Sequence, residues 1–171
     1  RQLTEVARKA GAFIRHERDW FSYSSVEVKG LNDLVSYVDK TSEKLIVDSL
    51  SKLLPEAGFV VEENTLSEKK DYNWIVDPLD GTTNFVHGVP VWCTSVALCA
   101  GTEPVSGVIY DPSSRECYAA YLHGGARMND QPIAVSQIEK LEQSLLATGF
   151  PYDDFGREQQ YIALFRELMR N

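Results

Sequence analysis

Residues 74–85 read Trp-Ile-Val-Asp-Pro-Leu-Asp-Gly-Thr-Thr-Asn-Phe. The apolar run 73–77 predicts a buried strand that ends at Asp77, after which Pro78, with φ fixed near about −65°, turns the chain. The turn presents a second carboxylate at Asp80 and points the Leu79 carbonyl into the same cavity. Gly81 permits close approach of backbone. Gly81-Thr82-Thr83 is expected to open a short helix whose unpaired N–H groups receive an anion. Magnesium takes hard oxygen ligands: carboxylates, a carbonyl, water and substrate phosphate. Asp77, Asp80 and the Leu79 carbonyl offer such oxygens from one strand end, and Glu62, at the end of another short strand, adds a third carboxylate. Two ions sharing these groups would activate a water and stabilise a leaving oxygen. Thr82 is placed to orient that water, with Asp39 accepting the Thr82 hydroxyl proton and Glu62 acting as base. Asp-Pro and Asp-Gly alone mark only loops; their joint occurrence with the acidic pair Glu62-Glu63 upstream points to metal-assisted phosphate chemistry.

Outward from this stretch, Leu3, Val6, Ala7, Ala10, Phe13 and Ile14 recur at helical spacing. Residues 21–35 read as an irregular, flap-like strand segment with a turn at Gly30 and Asn32. Ser36 and Asp39 have capping-box spacing, and Leu45, Ile46, Leu50 and Leu53 mark the core face of the helix that follows, which Pro55 and Gly58 end. A strand at 59–61, a polar loop at 64–71, a strand at 91–99 and a hairpin at 105–110 and 116–122 come next. Strands near 133–135 and 145–148 precede a closing helix marked by Tyr161, Leu164, Phe165 and Leu168. This order predicts an α+β fold with helices layered against one large, mainly antiparallel sheet, in a single domain over 1–171.

The 171 residues are 43% hydrophobic, enough for one good core. Seventeen Lys and Arg against 25 Asp and Glu give a net charge of −8. That balance argues against nucleic-acid binding, whose affinity rests on neutralising phosphates with basic side chains, and it suits divalent cations. Cys93, Cys99 and Cys117 lack C-x-x-C spacing and read as reduced thiols. His16, His87 and His123 match no ligand spacing, and His87, just beyond the expected anion site, reads as structural. No apolar run approaches the about 20 residues of a membrane helix, so the expected compartment is the cytoplasm.

The stretch from Trp74 to His87 resembles the inositol monophosphatase family, within the lithium-sensitive phosphatase superfamily that includes fructose-1,6-bisphosphatases. Asp33-Leu-Val with Asp39, Glu62-Glu63, and Gly124-Gly-Ala ahead of Asn129 extend the resemblance from about Ala10 to the last residue. It implies a layered α/β/α/β/α sandwich, a homodimer, dependence on Mg²⁺ with two or three ions per complete site, and inhibition by Li⁺. By position, it implies metal ligands at Glu62, Asp77, the Leu79 carbonyl and Asp80. Phosphate contacts fall at Gly81, Thr82, Thr83 and Asp80, catalytic roles at Thr82, Asp39 and Glu62, and a mobile-loop lysine at Lys29. Thr83-Asn84-Phe85-Val86-His87 resembles inositol monophosphatases rather than bisphosphate nucleotidases and favours a small polyol monophosphate, inositol 1-phosphate first, with a sugar phosphate, histidinol phosphate or a nucleotide 3′-phosphate as the close rival. A non-enzymatic protein that keeps the fold for binding is the rival class. Val61 and Asn64 depart from the small residues usual beside the acidic pair. The family's Trp-Asp-x-Ala motif has no counterpart, since Asp19-Trp20 has the reverse order. Asn171 is therefore expected to cut the fold ahead of a C-terminal α/β part.

Overall fold

Leu3, Ala7, Ala10 and Ile14 follow one another at three- and four-residue steps and lie buried along one face of α1 (Gln2–Trp20). The computed structural model describes residues 1–30, 33–63, 67–149 and 155–170; of residues 23, 28–30, 33, 34, 67 and 68 it describes the backbone alone. The expected turn residue Asn32, the departure at Asn64 and the side chain of Lys29 lie outside the described residues. After a short 3₁₀ turn, Tyr23–Ser25, the strands β1 (Val26–Gly30) and β2 (Asp33–Ser36) form a two-stranded sheet.

Helix α2 (Tyr37–Leu53) starts at the capping box read from the sequence. The Val38 N–H donates to Ser36 Oγ at 3.1 Å, and the Ser36 N–H donates to Asp39 Oδ2 at 2.9 Å, so donors that helix geometry leaves without partners are satisfied. Beyond the cap, Ile46 and Leu50 turn a fully buried edge toward the sheet.

The chain then runs through β3 (Gly58–Val61), β4 (Ser67–Glu68), β5 (Tyr72–Asp80), the one-and-a-half-turn helix α3 (Thr82–His87), β6 (Cys93–Ala100), β7 (Glu103–Asp111), β8 (Glu116–Tyr121), β9 (Gly125–Met128) and β10 (Gln131–Ile133). β3 through β10 form one eight-stranded sheet in the order β10-β9-β8-β7-β6-β5-β3-β4. Every neighbouring pair is antiparallel except β3 and β5, which run parallel with Val61 opposite Val76. Alternation puts Trp74, Val76, Val96 and Val108 on the face that meets α1 and α2, where they pack with Leu3, Ala7, Ile46 and Leu50. Opposite that face, Ile75, Ala97, Gly107, Ala120, Ala126 and Ile133 stand in one row across six strands. The fold is the α+β arrangement expected, with a mainly antiparallel sheet.

Four local expectations change. The strand carrying Asp77 does not end there; β5 continues through Pro78 and Leu79 to Asp80. The loop expected at 64–71 holds β4, which pairs with β3. Residues 145–148 form no strand: Leu145 is 98% exposed, and β propensity without a paired, packed neighbour does not make one. β10 likewise stops at Ile133, short of Val135.

The described residues fall into two compact units, one of Arg1–Lys29 with Asp33–Ile133 and a smaller one mainly within Ala134–Asn171. The smaller unit contains a 3₁₀ turn, Leu141–Gln143, and α4 (Glu158–Leu168), where the Tyr161 hydroxyl donates to the Gly149 carbonyl at 2.8 Å.

Because Ile46 is fully buried between α2 and the sheet, Ile46→Ala should destabilise the full-length protein by about 2–5 kcal/mol, read by denaturant unfolding. Exposed Lys44→Ala, two residues away on the same helix, should stay within about 0.5 kcal/mol.

Candidate active site

Proline has no N–H to give a ladder and is tolerated inside a sheet only at a bulge. The β5–β6 pairing shows that device: Asp77 lies opposite Ser95, the register shifts, and pairing resumes with Asp80 opposite Cys93. Such a bulge bends the strand and re-aims side chains, which accomplishes what a turn at Pro78 was expected to do. Two hydrogen bonds fix it. Thr94 Oγ1 donates to the Pro78 carbonyl at 3.0 Å, and the Leu79 N–H donates to Asp77 Oδ1 at 3.1 Å.

Gly81 follows with φ of +91°, a conformation side chains rarely adopt. A Cβ there would also stand 2.9 Å from the Val91 carbonyl oxygen. α3 begins next, with the Phe85 N–H donating to the Gly81 carbonyl at 2.9 Å. Phe85, fully buried, anchors the helix by edge-to-face contacts with Trp92 and Phe21 at centroid distances of 5.4 and 5.0 Å.

Thr82 Oγ1 lies 2.8 Å from Asp39 Oδ1 and 3.0 Å from the Leu79 carbonyl. A hydroxyl has one proton to give, and the charged, nearer carboxylate is the stronger acceptor. The other oxygen of Asp39, Oδ2, accepts from the Ser36 N–H and from Ser36 Oγ at 2.9 and 2.7 Å. Asp39 is thus buried at 1% exposure with hydrogen bonds on both oxygens.

Glu62 stands just beyond β3, and its N–H donates to the Val76 carbonyl at 3.2 Å, which extends the parallel pairing toward Asp77. Its side chain shares a hydrogen bond with Asp77. Burial, then that hydrogen bond, then the charges of Glu62 and Asp80 push the Asp77 carboxyl up to about 8, against the opposing Leu79 N–H. Asp80 is exposed and accepts from Cys93 Sγ at 3.8 Å. Burial and the nearby carboxylates of Asp80, Asp77 and Asp111 push the Cys93 thiol up to about 12, so Cys93 is a neutral neighbour of this cluster. Thr83, the second residue of α3, is exposed.

Glu62 and Asp80 therefore both act on Asp77 at the bulged end of β5, and Leu79, with its N–H on Asp77 and its carbonyl beside Thr82, links them to the Thr82–Asp39 pair. Among the described residues no three His, Cys, Asp or Glu side chains close round a common point. The donors still fit a hard divalent cation. Asp77 is driven to hold a proton first by burial and then by its acidic neighbours, whose charge a cation offsets, and magnesium keeps several waters while taking one or two carboxylates. Reading the sequence missed two residues here. Cys93 is signalled only by its pairing with Asp80. Glu43, whose Oε2 accepts the Glu63 N–H at 2.7 Å, sits at core spacing ahead of Ile46 and Leu50.

Gly81→Ala should unfold at lower denaturant than wild type by about 1 kcal/mol or more, since it adds strain at positive φ to a steric clash. Asp77 gives a pH signature. Between 3.8 and about 8 the folded protein keeps a proton that the unfolded chain has released, so metal-free stability falls as pH rises through that window. Thermal melts in chelator from about pH 5 to about pH 8.5 should show this decline, and Asp77→Asn should flatten it.

The sequence model of the Inositol monophosphatase family matches residues 1–170. An inositol-1-monophosphatase of Mesorhizobium japonicum is 37% identical over 169 residues, covering 98% of this chain and 64% of that protein. The Nus factor SuhB of Vibrio cholerae is 36% identical over 166 residues, covering 96% and 61%. The crystal structure of the extragenic suppressor protein suhB from Bartonella henselae superposes with a TM-score of 0.90 at 36% identity, over 99% of this chain and 66% of that one. The chain thus spans less than two-thirds of the length of these relatives. Among the described residues no helix is long and apolar enough to cross a membrane. With the match running almost end to end and the superposition equally broad, the chain belongs to the inositol monophosphatase family.

Proposed function

We propose that this chain carries the larger part of a magnesium-dependent phosphomonoesterase that hydrolyses inositol 1-phosphate to inositol and phosphate. The observation that carries this reading is the hydrogen bond between Thr82 and Asp39, set beside the Glu62–Asp77 pair at the bulged end of β5. Glu62, Asp77, Asp80 and the Leu79 carbonyl would hold two or three Mg²⁺ ions. When bound, these supply Lewis acidity, lowering the pKa of water and offsetting the charge of the ester.

The protein's own groups then have distinct tasks. Asp39 takes the Thr82 proton, so the lone pairs of Thr82 Oγ1 accept a hydrogen bond from a water and aim its oxygen at phosphorus. Glu62 receives the proton that this water loses as its oxygen bonds to phosphorus, and the ester oxygen leaves in line with it, taking up a proton from solvent to become the inositol hydroxyl. Gly81, Thr82 and Thr83 direct first-turn N–H groups of α3, which lack acceptors within the helix, at the phosphate oxygens. No side chain becomes phosphorylated. Lys29, on the flap strand β1, is assigned to the mobile loop beside the ions. A cytoplasmic homodimer inhibited by Li⁺ completes the proposal.

A second reading, a partner-binding protein that keeps the fold, is favoured by the relative named as a Nus factor, whose 36% identity is on a par with the 37% of the phosphatase. Phosphate release separates the two. The full-length protein should liberate phosphate from inositol 1-phosphate with Mg²⁺, lose that activity in EDTA and lose it progressively with Li⁺. Thr82→Ala should lower kcat by about 100-fold or more under saturating Mg²⁺, with Thr82→Ser recovering much of it. Release that ignores EDTA, or an unchanged rate in Thr82→Ala, contradicts the mechanism.

A further inference from the structure

Asp39 and Glu43 occupy one face of α2 a single turn apart, and both are buried, Glu43 completely. Removing a carboxylate from water carries a large desolvation cost, so such a group is expected to have a specific partner. Each of these two reaches a different wall of the site. Asp39 Oδ1 accepts from Thr82 on the α3 side, and Glu43 Oε2 accepts the Glu63 N–H at 2.7 Å on the β3 side. The 62–63 turn is thereby pinned at two consecutive amides, Glu62 to the Val76 carbonyl of β5 and Glu63 to the carboxylate of α2. With its backbone held between helix and sheet, Glu62 directs its carboxylate toward the end of β5, where it shares a hydrogen bond with Asp77.

We infer that Glu43 is a positioning residue of this site: by gripping the Glu63 N–H it fixes the turn that delivers Glu62 to Asp77, and with Asp39 it makes α2 the gauge that sets the spacing between the Glu62 and Thr82 walls. The inference rests on the phosphatase reading and deepens it. Glu43 touches neither substrate nor ion; it acts through the main chain of the next strand's turn. Hydrogen bonds donated by a main-chain N–H to a carboxylate are short and strong, which suits a contact whose task is to hold a backbone in place.

Two readouts on the full-length protein test this, both taken well below the melting temperature of each variant. One is Mn²⁺ affinity by electron paramagnetic resonance with no substrate present, and the other is hydrogen exchange at the Glu63 amide. Glu43→Ala removes the acceptor, while Glu43→Gln keeps an acceptor oxygen at the same reach. Glu43→Asp, whose carboxylate falls one methylene short, serves where the alanine variant does not fold. Glu43→Ala or Glu43→Asp should weaken Mn²⁺ binding by about 10- to 100-fold and speed exchange at Glu63, whereas Glu43→Gln should stay within about threefold of wild type in both. A merely structural Glu43 would lower the melting temperature and leave the affinity of the folded protein unchanged, which overturns the inference. So does a Glu43→Gln variant as weak as the alanine one. If wild type itself binds no Mn²⁺, the phosphatase reading falls separately. Exchange at Glu63 then decides the positioning claim: faster exchange in Glu43→Ala keeps it, and unchanged exchange rejects it.

Discussion

Carboxylates do not gather unaided, and the architecture of the larger unit brings Glu62 and Asp80 each to bear on Asp77 at the bulged end of β5. Their mutual repulsion is visible in Asp77, which burial and its acidic neighbours drive to hold a proton near neutral pH. The force that opposes repulsion is the packing beneath the cluster. Ile46 and Leu50 of α2 meet Trp74 and Val76 of β5 in one dry core, so helix and strand are set rigidly against each other before any acidic group is placed. The bulge at Pro78, the +91° conformation at Gly81 and the Phe85–Trp92 contact then fix where β5 ends and α3 begins. Like charge is concentrated at one strand end and sustained by the apolar core beneath it.

How much of this could be read from the chain depends on the range of the interaction that decides each feature. The capping box of Ser36 and Asp39 is local chemistry and was legible, as were the apolar face of α2 and the close backbone approach at Gly81. Pro78 was half legible. Its missing N–H signals a break in regular pairing, but a turn and a bulge use the same residue. Only the partner strand, with Ser95 and Cys93 on either side of the register shift, distinguishes them. The 145–148 segment has strand-like composition and no strand. β structure is decided by partners that a linear sequence does not display.

Glu43 is the instructive omission. A glutamate in a helix of mixed charge reads by default as part of a solvated face. Its spacing says otherwise, since Asp39, Glu43, Ile46 and Leu50 fall four, three and four residues apart and belong to the stripe that packs on the sheet. A charge inside an apolar stripe is costly enough to need a reason, and here the reason is a main-chain amide twenty residues further along. Cys93 differs. Nothing in its immediate neighbours marks it, and only its place opposite Asp80 brings it beside the carboxylates.

The two oxygens of Asp39 join folding to function more tightly than either role requires alone. Oδ2 closes the capping box at Ser36, and so helps decide where α2 begins. Oδ1 receives Thr82, and so helps decide which way its hydroxyl points. A carboxylate serves both because both of its oxygens are acceptors, whereas an amide offers one acceptor and one donor group. Asparagine at this third helical position, whose side-chain oxygen could also accept from Ser36, would have to turn its NH₂ toward either the Ser36 donors or the Thr82 hydroxyl. The requirement for aspartate therefore comes from the pairing of the two tasks, and the start of α2 cannot be re-capped without disturbing the residue proposed to aim the water.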